Sequence, residues 1–590
     1  MLLPGGPMHF NNLRLQEILS MVSNLAELGE AAAGSTAERK LAGKVKSVFE
    51  GLPSVSAEIL PVPLKTWIDR GSSISVCGEE VRALALPPHP GSSAGGPVAF
   101  ADSEYLKGSL EDKIAVLEDP GELDVAASLY AKAVESGAAA VIFHSRRKGV
   151  LRRFVVGAGW RTFTENAPIP ALYIDGKAAE LLSRCGREVE VRHGGAIVDA
   201  TGYIVEAHVD LGQPGGSLLL AAHHDHWLGG ANDNLASVAA MAQLARELLR
   251  VGRGSVTLVS LTAEEIGGFW EYPQFSSYGS RLYAEYLSKV GAWRDLVIYM
   301  DSVAGKGLRV YAPALSRLSS NSLGGKEQVV FSTLAPAPLK NFVEKGFPAV
   351  MVSSFPTDMY ARHSTLDTPQ RLNRENLALA LSFVKMLSLK ALEGGANAIR
   401  ADLEHLLSGL IREAERYGSL QLRSAAYRLS RLAATARGRA DEASVLRLVY
   451  RKALQLSLGF VKVSCTGGCE DWHAVLVLPG AWCANAVRRE MLKALEASSL
   501  ADADGSYCKQ AALSAASRLK MLCPVCRLSC ELAEILHKAA QGGCRPLEAV
   551  LKLVTENVKS TYGYTLKLLS ESLSRTVEEL LSEFHKTASS

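Results

Sequence analysis

The sequence predicts an α/β protein with a mainly parallel, mixed sheet that is covered by helices on both faces. From about residue 203 onward, apolar runs of five or six residues alternate with amphipathic helical patterns. Such runs are typical of strands buried on both faces of a largely parallel sheet. The predicted strands are Leu218–Ala222, Val256–Leu261, Leu296–Met300 and Ala349–Val352. Polar clusters follow these runs, and ligands collect at the carboxyl ends of such strands.

The composition is that of an ordinary globular protein. The 590 residues are 48% hydrophobic and 21% charged, with a formal net charge of +3. This small charge argues against nucleic acid or a membrane surface as the partner. There is no apolar run of about 18 residues that could span a membrane. Residues Met1–Phe10 lack the pattern of a secretory signal, so we expect a cytoplasmic location.

The flanking regions differ from the central α/β pattern. Ser35 and Glu38 form a capping box that predicts the start of a helix. Residues from about 54 to 100 are rich in proline and glycine, and predict irregular strands and loops. Short strands at 113–117, 139–143 and 168–174, with a helix over roughly 124–136, suggest a small separate domain. After about residue 376 the pattern is helical almost throughout.

Five polar clusters carry the chemistry, and each follows an apolar strand. They are His223–His226, Gly230–Asn234, Thr262–Glu265, Met300–Ser302 and His363–Thr368. Imidazole nitrogens and carboxylate oxygens suit Zn²⁺, and Co²⁺ or Mn²⁺ less commonly. Asp233, Glu265 and Asp301 supply three negative charges, and a bridging hydroxide would add one. Together these charges would neutralise two divalent cations, so we predict a two-metal site.

The run from His223 to Thr368 resembles the co-catalytic zinc peptidase family that contains bacterial leucyl aminopeptidases, glutamate carboxypeptidase and the transferrin receptor. The matching motifs are His223-His224-Asp225, Gly230 to Asn234, Glu264-Glu265, Asp301 and the H-S-T-L-D-T run from His363. Any one of these motifs is weak evidence, whereas the five together in order are specific. The resemblance implies a metal-dependent exopeptidase that acts on peptides.

The resemblance also implies a role for each matching residue. His223 and Asp301 would hold one zinc ion, Glu265 and His363 would hold the other, and Asp233 would bridge the two. Glu264 would act as general base and acid. Asp225 would orient His223 through the ring nitrogen that does not face the metal.

One departure from the family concerns the residue before the last histidine. Some relatives place there a tyrosine that binds the oxyanion, whereas this chain has Arg362, with Tyr360 two residues further back. Which group stabilises the intermediate is therefore open. The stretch Gly267–Tyr278 also looks longer than the family's usual link from the paired glutamates to the next helix, and its aromatic residues would form either a packed loop or a wall of the substrate site.

The domain prediction follows the same resemblance. Residues 1–74 would form N-terminal helices and the first part of the peptidase domain, and 75–195 a β-rich insert that resembles a protease-associated domain. Residues 196–395 would form the catalytic domain, and 396–590 a helical, cysteine-containing domain. By analogy of architecture with glutamate carboxypeptidase and the transferrin receptor, the helical domain would form a homo-oligomer.

The ten cysteines leave two alternatives open besides reduced thiols. Cys77 and Cys185 are isolated, while the other eight lie between Cys465 and Cys544. Cys465, Cys469, Cys523 and Cys526 could together form a structural zinc site with four cysteine ligands, although the spacing between its two halves is unusual. Disulfides are the other possibility, as in intracellular proteins of hyperthermophiles.

The predicted function is an aminopeptidase that releases N-terminal residues from short peptides. The first alternative is a carboxypeptidase of the same family, which needs arginines for the substrate carboxylate, with Arg362 and Arg371 as candidates. A non-catalytic binding protein on the same fold would be expected to lose ligands, and the full set is present. A single-zinc glutaminyl cyclase is the last alternative, and the complete ligand set argues against it.

Overall fold

The structure is a computed structural model that describes most of the chain up to Ser457. The described residues are 12–101, 110–156, 167–185, 188–250, 252–268, 277–312, 329–332, 337–355, 357, 359–393, 400, 402–404, 406–408, 411, 420–437 and 442–457. The late cysteines, Cys465 to Cys544, and the aromatic residues 269–276 lie outside them. The predictions for those residues therefore stay predictions.

The described strands and helices alternate along much of the chain. The strands are β1 Ser56–Asp69, β2 Ser72–Val76, β3 Glu79–Ala85, β4 Ser92–Ala101, β5 Ile114–Glu118, β6 Ala140–His144, β7 Ala171–Ile174, β8 Glu188–His193, β9 Gly195–Asp210, β10 Gln213–His223, β11 Arg253–Leu261, β12 Leu296–Asp301, β13 Leu308–Tyr311, β14 Val329–Ser332 and β15 Ala349–Ser353. The helices are α1 Asn12–Ala26, α2 Thr36–Glu50, α3 Leu123–Glu135, α4 Gly176–Cys185, α5 Ala236–Leu248, α6 Tyr278–Lys289, α7 Ala337–Glu344, α8 Arg374–Glu393, α9 Leu420–Thr435 and α10 Glu442–Ser457.

The main sheet has the strand order β1-β9-β11-β10-β12-β15-β13-β14 in the described part of the chain. Its central strands β11, β10, β12 and β15 are parallel, whereas β1, β9 and β13 join by antiparallel pairing. Every residue of β12 and β15 is buried. Because successive side chains point to opposite faces, both faces of the sheet centre are covered. The predicted α/β class with a mixed sheet is confirmed.

The first strand of this sheet was mispredicted. Residues 54–100 were expected to form irregular strands and loops, but Ser56–Asp69 is a continuous strand of 14 residues. It lies at the edge of the sheet, where β9 is its strand partner in the described part of the chain and Lys65 also forms an isolated bridge with Gly268. Pro61 and Pro63 are tolerated because an edge strand has one side without a ladder partner.

A second sheet closes on itself between β2 and β8. Its strand order is β2-β3-β7-β6-β5-β4-β8, and β8 pairs back onto β2. Inward-facing apolar residues such as Ile74, Ile142 and Leu172 fill it. We call this unit, Ser72–His193, the barrel. The predicted domain limits and the likeness to a protease-associated domain stay predictions.

The helices pack against the main sheet. Helix α2 begins after Ser35, whose hydroxyl accepts a hydrogen bond of 3.0 Å from the backbone N–H of Glu38, as the capping box predicts. Helix α5 packs on β10, and α8 packs on β10 and β11. Helix α10 is tied to the sheet by Arg447, whose guanidinium lies 2.9 Å from an oxygen of Asp295. None of the described helices has the length and apolar character that a membrane span requires.

Cys77 is disulfide-bonded in the structure, although the sequence shows it as isolated. Disulfides persist mainly in oxidising compartments and in intracellular proteins of hyperthermophiles. The disulfide does not identify the compartment, so the cytoplasmic location stays a prediction. The homo-oligomer also stays a prediction.

Candidate metal centre

The carboxyl ends of three neighbouring strands bring the predicted residues together. Strand β10 ends at His223 and β12 ends at Asp301, and these two strands are paired in parallel. Strand β11 lies on the other side of β10, with Leu261 opposite His223. Glu264 and Glu265 follow Leu261 by three and four residues. The parallel register thus places an imidazole and several carboxylates at one edge of the sheet.

Asp233 lies at the centre of the site, between two histidines. Its Oδ1 is 3.4 Å from Nε2 of His223, and its Oδ2 is 3.1 Å from Nε2 of His363. Nε2 of His223 lies 3.9 Å from Asp301, and Nε2 of His363 lies 2.9 Å from Glu265. The predicted ligand atoms form two groups, His223–Asp233–Asp301 and Asp233–Glu265–His363, each within 4.8 Å, and Glu264 forms a third such group with His223 and Glu265. The first two groups share Asp233.

Glu264 is the remaining acidic residue of the site. Its Oε2 lies 4.0 Å from Nε2 of His223, and its Oε1 accepts a hydrogen bond of 3.1 Å from the hydroxyl of Ser277. The side chain is 12% exposed, whereas that of Asp233 is 1% exposed. Glu264 is therefore the acidic group of the site that a substrate can reach most easily.

The segment that carries Asp233 is fixed by side chains from other loops. The carboxylate of Asp367 accepts the backbone N–H groups of Asn232 at 2.7 Å and of Asp233 at 3.0 Å. The amide of Asn234 donates to the carbonyl oxygen of Met300 at 2.9 Å. The peptide bond between Asp233 and Asn234 is cis. These contacts connect three of the polar clusters, so the position of Asp233 is defined by backbone as well as side-chain contacts.

Residues in the left-handed backbone region surround the site. Leu228, Ala263, Ser302 and His363 have φ between 51° and 59°. Side chains with a Cβ rarely adopt this conformation, which costs about 1–3 kcal/mol each, and such residues cluster at functional sites. In His363 the unusual backbone belongs to a predicted ligand itself.

Asp225 contacts a different partner from the one the sequence suggests. Its carboxylate was expected to orient His223, but the distance from Oδ1 to Nδ1 of His223 is 3.8 Å. Nδ1 lies instead 3.0 Å from the main-chain carbonyl oxygen of Asp225. The carboxylate accepts the backbone N–H groups of Glu264 and Glu265 at 3.0–3.1 Å. The side chain of Asp225 thus holds the turn at Glu264 and Glu265, which we call the glutamate turn. Its main-chain carbonyl holds the ring of His223.

Arg362 is a cation at the site whose role the sequence left open. Its Nε lies 2.7 Å from Oδ2 of Asp233 and 3.1 Å from Nε2 of His363. Its guanidinium lies over the ring of Phe355, with 5.0 Å between the guanidinium carbon and the ring centroid. On the other side of His363, the ring of Trp227 makes an edge contact at 4.9 Å between centroids.

The electrostatics of the site favour bound positive charge. Burial lowers the pKa of His363, but the carboxylates of Glu265 and Asp233 outweigh it and raise the pKa to about 9. The pKa of His223 is also raised, because Glu264, Asp233 and Asp301 outweigh burial. Burial raises the pKa of Glu264 to about 7 against the opposing effect of His223. Both shifts favour the protonated imidazoles, so the surrounding carboxylates favour positive charge at this place.

The residues fit bound metal ions on chemical grounds. Nε2 of His223, both carboxylate oxygens of Asp233 and Oε1 of Glu265 are buried without a hydrogen-bond partner, although Arg362 lies near one of them. Buried polar atoms of this kind are normally satisfied, so these atoms require a ligand. The set contains imidazole and carboxylate donors and no thiolate, which is the donor set expected for zinc.

The barrel contributes residues to this region that the sequence did not reveal. Arg152 forms an isolated β-bridge with Ser364, and its Nε donates to the carbonyl oxygen of Arg362 at 3.2 Å. The hydroxyls of Ser145 and Tyr360 are 2.6 Å apart. These pairs are more than 200 residues apart in sequence, so no local pattern could predict them. Asp367 and Asn232, in contrast, belong to predicted motifs.

Fold and site together define a metal-dependent peptidase. Residues 205–387 match the family model described as Peptidase family M28.

Several solved structures resemble the chain in architecture. BSAP, a zinc aminopeptidase from Bacillus subtilis, is 20% identical over 64% of this chain and 95% of its own, with a TM-score of 0.48. The aminopeptidase from Aneurinibacillus sp. strain AM-1 is 19% identical over 65% and 94%, with a TM-score of 0.42. The Peptidase M28 precursor from Shewanella amazonensis SB2B is 19% identical over 64% and 94%, with a TM-score of 0.48. No curated protein matches the chain.

Proposed function

We propose that the chain is a two-zinc exopeptidase, in which His223 and Asp301 hold one ion and Glu265 and His363 hold the other. The observation that carries the proposal is the position of Asp233. Its two carboxylate oxygens face different histidines, at 3.4 and 3.1 Å, as a bridging ligand requires. Co²⁺ and Mn²⁺ accept the same ligand types.

The chemistry follows from what such a site supplies and from the residues around it. Two bound zinc ions would provide Lewis acidity and an activated water at neutral pH. The carboxylate of Glu264 lies beside the ligands and takes the proton of the attacking water. It then delivers that proton to the leaving amine. Arg362 is the cation nearest the ligands and is the candidate for stabilising charge on the carbonyl oxygen.

The first activity to test is that of an aminopeptidase on short peptides. A carboxypeptidase is the second candidate, and one observation favours it. Arg362 and Arg371 line the same recess beside the ligands, where a C-terminal carboxylate would need a cationic partner. The two activities differ in which end of the substrate must be free.

The test uses zinc-loaded protein with a measured metal content. Aminoacyl-nitroanilides report N-terminal cleavage, and N-blocked dipeptides report C-terminal cleavage. Two zinc ions per chain and hydrolysis of either class are expected. Chelation should abolish turnover, and zinc should restore it. A protein that holds one metal ion, or that hydrolyses neither substrate when two are bound, would contradict the proposal.

A further inference from the structure

A cavity of about 520 Å³ lies at the junction between the barrel and the main sheet. On one side it is lined by Glu30, which follows α1, and by Leu228, from the loop after β10. On the barrel side it is lined by Ser73 of β2, Arg82 of β3 and Arg192 of β8. Sites for small molecules usually measure about 300–1,000 Å³ and favour junctions between domains.

This junction cavity is separate from the candidate metal centre. In the part of the chain that the structure describes, its lining contains neither Glu264 nor any of the predicted metal ligands. A molecule bound in it is therefore held by side chains that the proposed hydrolysis does not use. Replacement of those side chains leaves the predicted ligands in place, so binding in the cavity can be tested apart from catalysis.

One end of the junction cavity has a net negative charge. The side chain of Arg153 is 5% exposed, and its guanidinium pairs with Glu30 and lies 2.9 Å from Asp69. Two carboxylates thus share one guanidinium. Asp69 also accepts the backbone N–H groups of Gly71 at 2.9 Å and of Ala85 at 3.0 Å, so both of its oxygens already have partners.

Glu30 is the acid of this end that is available to a ligand. One of its oxygens pairs with Arg153, and no residue in the described ranges donates to the other. The side chain is 27% exposed, so a molecule in the cavity can reach it. A carboxylate with a free oxygen is a partner for an ammonium group, since hydrogen bonds between charged groups are among the strong ones.

The other end of the junction cavity carries two arginines. Arg82 lies on β3 three residues before Ala85, the residue that contacts Asp69. Three residues of extended strand measure about 10 Å. Ser73 pairs with Arg82 on one side and with Arg192 on the other. Because directly paired residues project from the same face of a sheet, the two arginines flank the serine.

Arg82 is the cation of this end that is available to a ligand. Its side chain is exposed and makes no ion pair with any residue in the described ranges. Arg192 lies 3.8 Å from Glu80, and the two side chains are 66% and 69% exposed. An ion pair of this exposure contributes little. A guanidinium presents paired N–H donors that match the two oxygens of a carboxylate.

Apolar surface lies between the two ends. Leu84 stands between Arg82 and Ala85 on β3, is 4% exposed and belongs to an apolar cluster of the barrel. Leu228 packs against the same cluster, and both leucines line the cavity. An apolar group can therefore contact the leucines while charged groups of the same molecule reach Glu30 and Arg82.

We propose that the junction cavity binds a small zwitterion, with its ammonium group at Glu30, its carboxylate at Arg82 and an apolar body against Leu84 and Leu228. A molecule with only one of the two charges would leave one end of the cavity without its partner. Free α-amino acids and short peptides with free ends share this chemistry, and they differ in the distance between their charges. The site does not depend on the proposed function, since its described lining holds no predicted ligand.

Titration calorimetry on the zinc-loaded protein tests the site with four probes. Leucine is a zwitterion with neighbouring charges, and ε-aminocaproate is a zwitterion whose charges lie further apart, as in a dipeptide. Leucinol lacks the carboxylate, and isocaproate lacks the ammonium group. The wild type should bind one of the zwitterions about tenfold more tightly than leucinol and isocaproate. The tighter zwitterion tells whether an amino acid or a peptide is the better ligand.

Two variants assign the binding to the two ends of the cavity. Arg82→Gln should weaken the preferred zwitterion about tenfold, so that it binds about as weakly as leucinol binds the wild type. Glu30→Gln should weaken it by a similar factor, while Asp69 still pairs with Arg153. A zwitterion held at the metal centre would bind both variants as tightly as it binds the wild type.

The matched controls are Arg184→Gln and Glu27→Gln. Arg184 is an exposed arginine of the barrel, Glu27 is 69% exposed three residues before Glu30, and neither lines the cavity. Both controls should bind the probes like the wild type. Thermal unfolding of all variants is measured first. Because Arg82 is exposed and has no described partner, Arg82→Gln should keep the Tm of the wild type and decides the question even if Glu30→Gln is less stable.

Equal affinity for all four probes, or a preference for a zwitterion that persists in Arg82→Gln, overturns the proposal even if the protein hydrolyses peptides. Peptide hydrolysis is measured on the same preparation. If the wild type hydrolyses no peptide but prefers a zwitterion, and Arg82→Gln loses that preference, the peptidase proposal fails and the binding site stands.

Discussion

The main-chain carbonyl oxygen of His363 accepts a hydrogen bond of 2.9 Å from the backbone N–H of Arg153. A residue of the barrel therefore holds the backbone of a predicted metal ligand in the main sheet. The adjacent residue Arg152 forms a β-bridge with Ser364. The barrel thus acts on the site through the loop that carries His363.

Replacement of Arg152 tests the buried ion pair that supports the part of the barrel next to that loop. The side chains of Arg152 and Asp119 are fully buried and 3.0 Å apart, and Arg152→Met would leave the Asp119 charge without its cation. We expect the free energy of unfolding to fall by about 3–5 kcal/mol. Chemical denaturation measures the change.

The control for this prediction is Arg146→Gln. Arg146 pairs with Glu118 on the surface, with side-chain exposures of 78% and 40%, and such pairs contribute about 0–1 kcal/mol. Similar losses in the two variants would show that the buried pair does not have the role we assign to it.

Replacement of Glu264 separates chemistry from metal binding. Glu264→Gln keeps the size of the side chain and its contact with Ser277, but it removes the proton acceptor. Turnover should fall about 10²- to 10⁴-fold, while metal content and thermal stability stay close to those of the wild type. Peptide hydrolysis and metal analysis on the same preparation give the answer. Retained turnover would remove Glu264 from the role of general base.

Asp225→Asn tests the contact that the structure assigns to this carboxylate. One carboxylate oxygen accepts from the N–H of Glu264, and the other accepts from the N–H groups of Glu264 and Glu265. In asparagine an NH₂ group, which cannot accept, replaces one of these oxygens. The turn at Glu264 and Glu265 should therefore lose at least one hydrogen bond. We expect a 10- to 100-fold loss of metal affinity, since supporting groups of this kind have effects of about that size. Competition with a chelator measures the affinity. An unchanged affinity would mean that the turn is held by other contacts.

The contact between His89 and His193 leads us to predict that the free energy of unfolding depends on pH through a site away from the metal centre. Their rings contact at 4.7 Å, and each accepts a backbone N–H on Nδ1. Burial, with a smaller effect of His193, lowers the pKa of His89 to about 4. Between about pH 4 and 6.5 the unfolded chain therefore binds a proton that the folded chain does not.

The contribution of His89 to stability should be complete above about pH 6.5 and decrease as the pH falls towards about 4. His89→Asn removes this titration, and its carboxamide oxygen can still accept the N–H of Gly91. Thermal unfolding at pH 7 and pH 5 should show a smaller drop in Tm for the variant than for the wild type. Parallel behaviour of the two proteins would contradict the prediction.

The sequence predicted those features that depend on local pattern. The apolar run Leu218–Ala222 ends one residue before His223, so a strand and the polar residue after it could be recognised together. The capping box at Ser35 has a fixed spacing and located the start of α2. The convergence of the site residues could also be predicted, because parallel pairing brings the carboxyl ends of neighbouring strands to one edge of the sheet.

The missed features depend on contacts that have no local signature. The pairing of Arg152 with Ser364 joins residues 212 positions apart. The continuity of strand β1 was not predicted, because Pro61 and Pro63 argue against a strand interior and are tolerated at the edge of a sheet. The sequence could not tell which atom of Asp225 would contact His223, because the carboxylate and the main-chain carbonyl of one residue are both within reach of a nearby ring.

The chain leaves the main sheet at Asp69 and returns at Gly195, and these two residues face each other in the pairing of β1 with β9. In topological terms, the whole barrel takes the place of a hairpin turn. A module attached in this way can be gained, lost or exchanged in ancestry without changing the register of any strand in the main sheet. The sheet would still fold after such an exchange. The contacts that hold the loop of His363 would change, and we expect the activity to change with them.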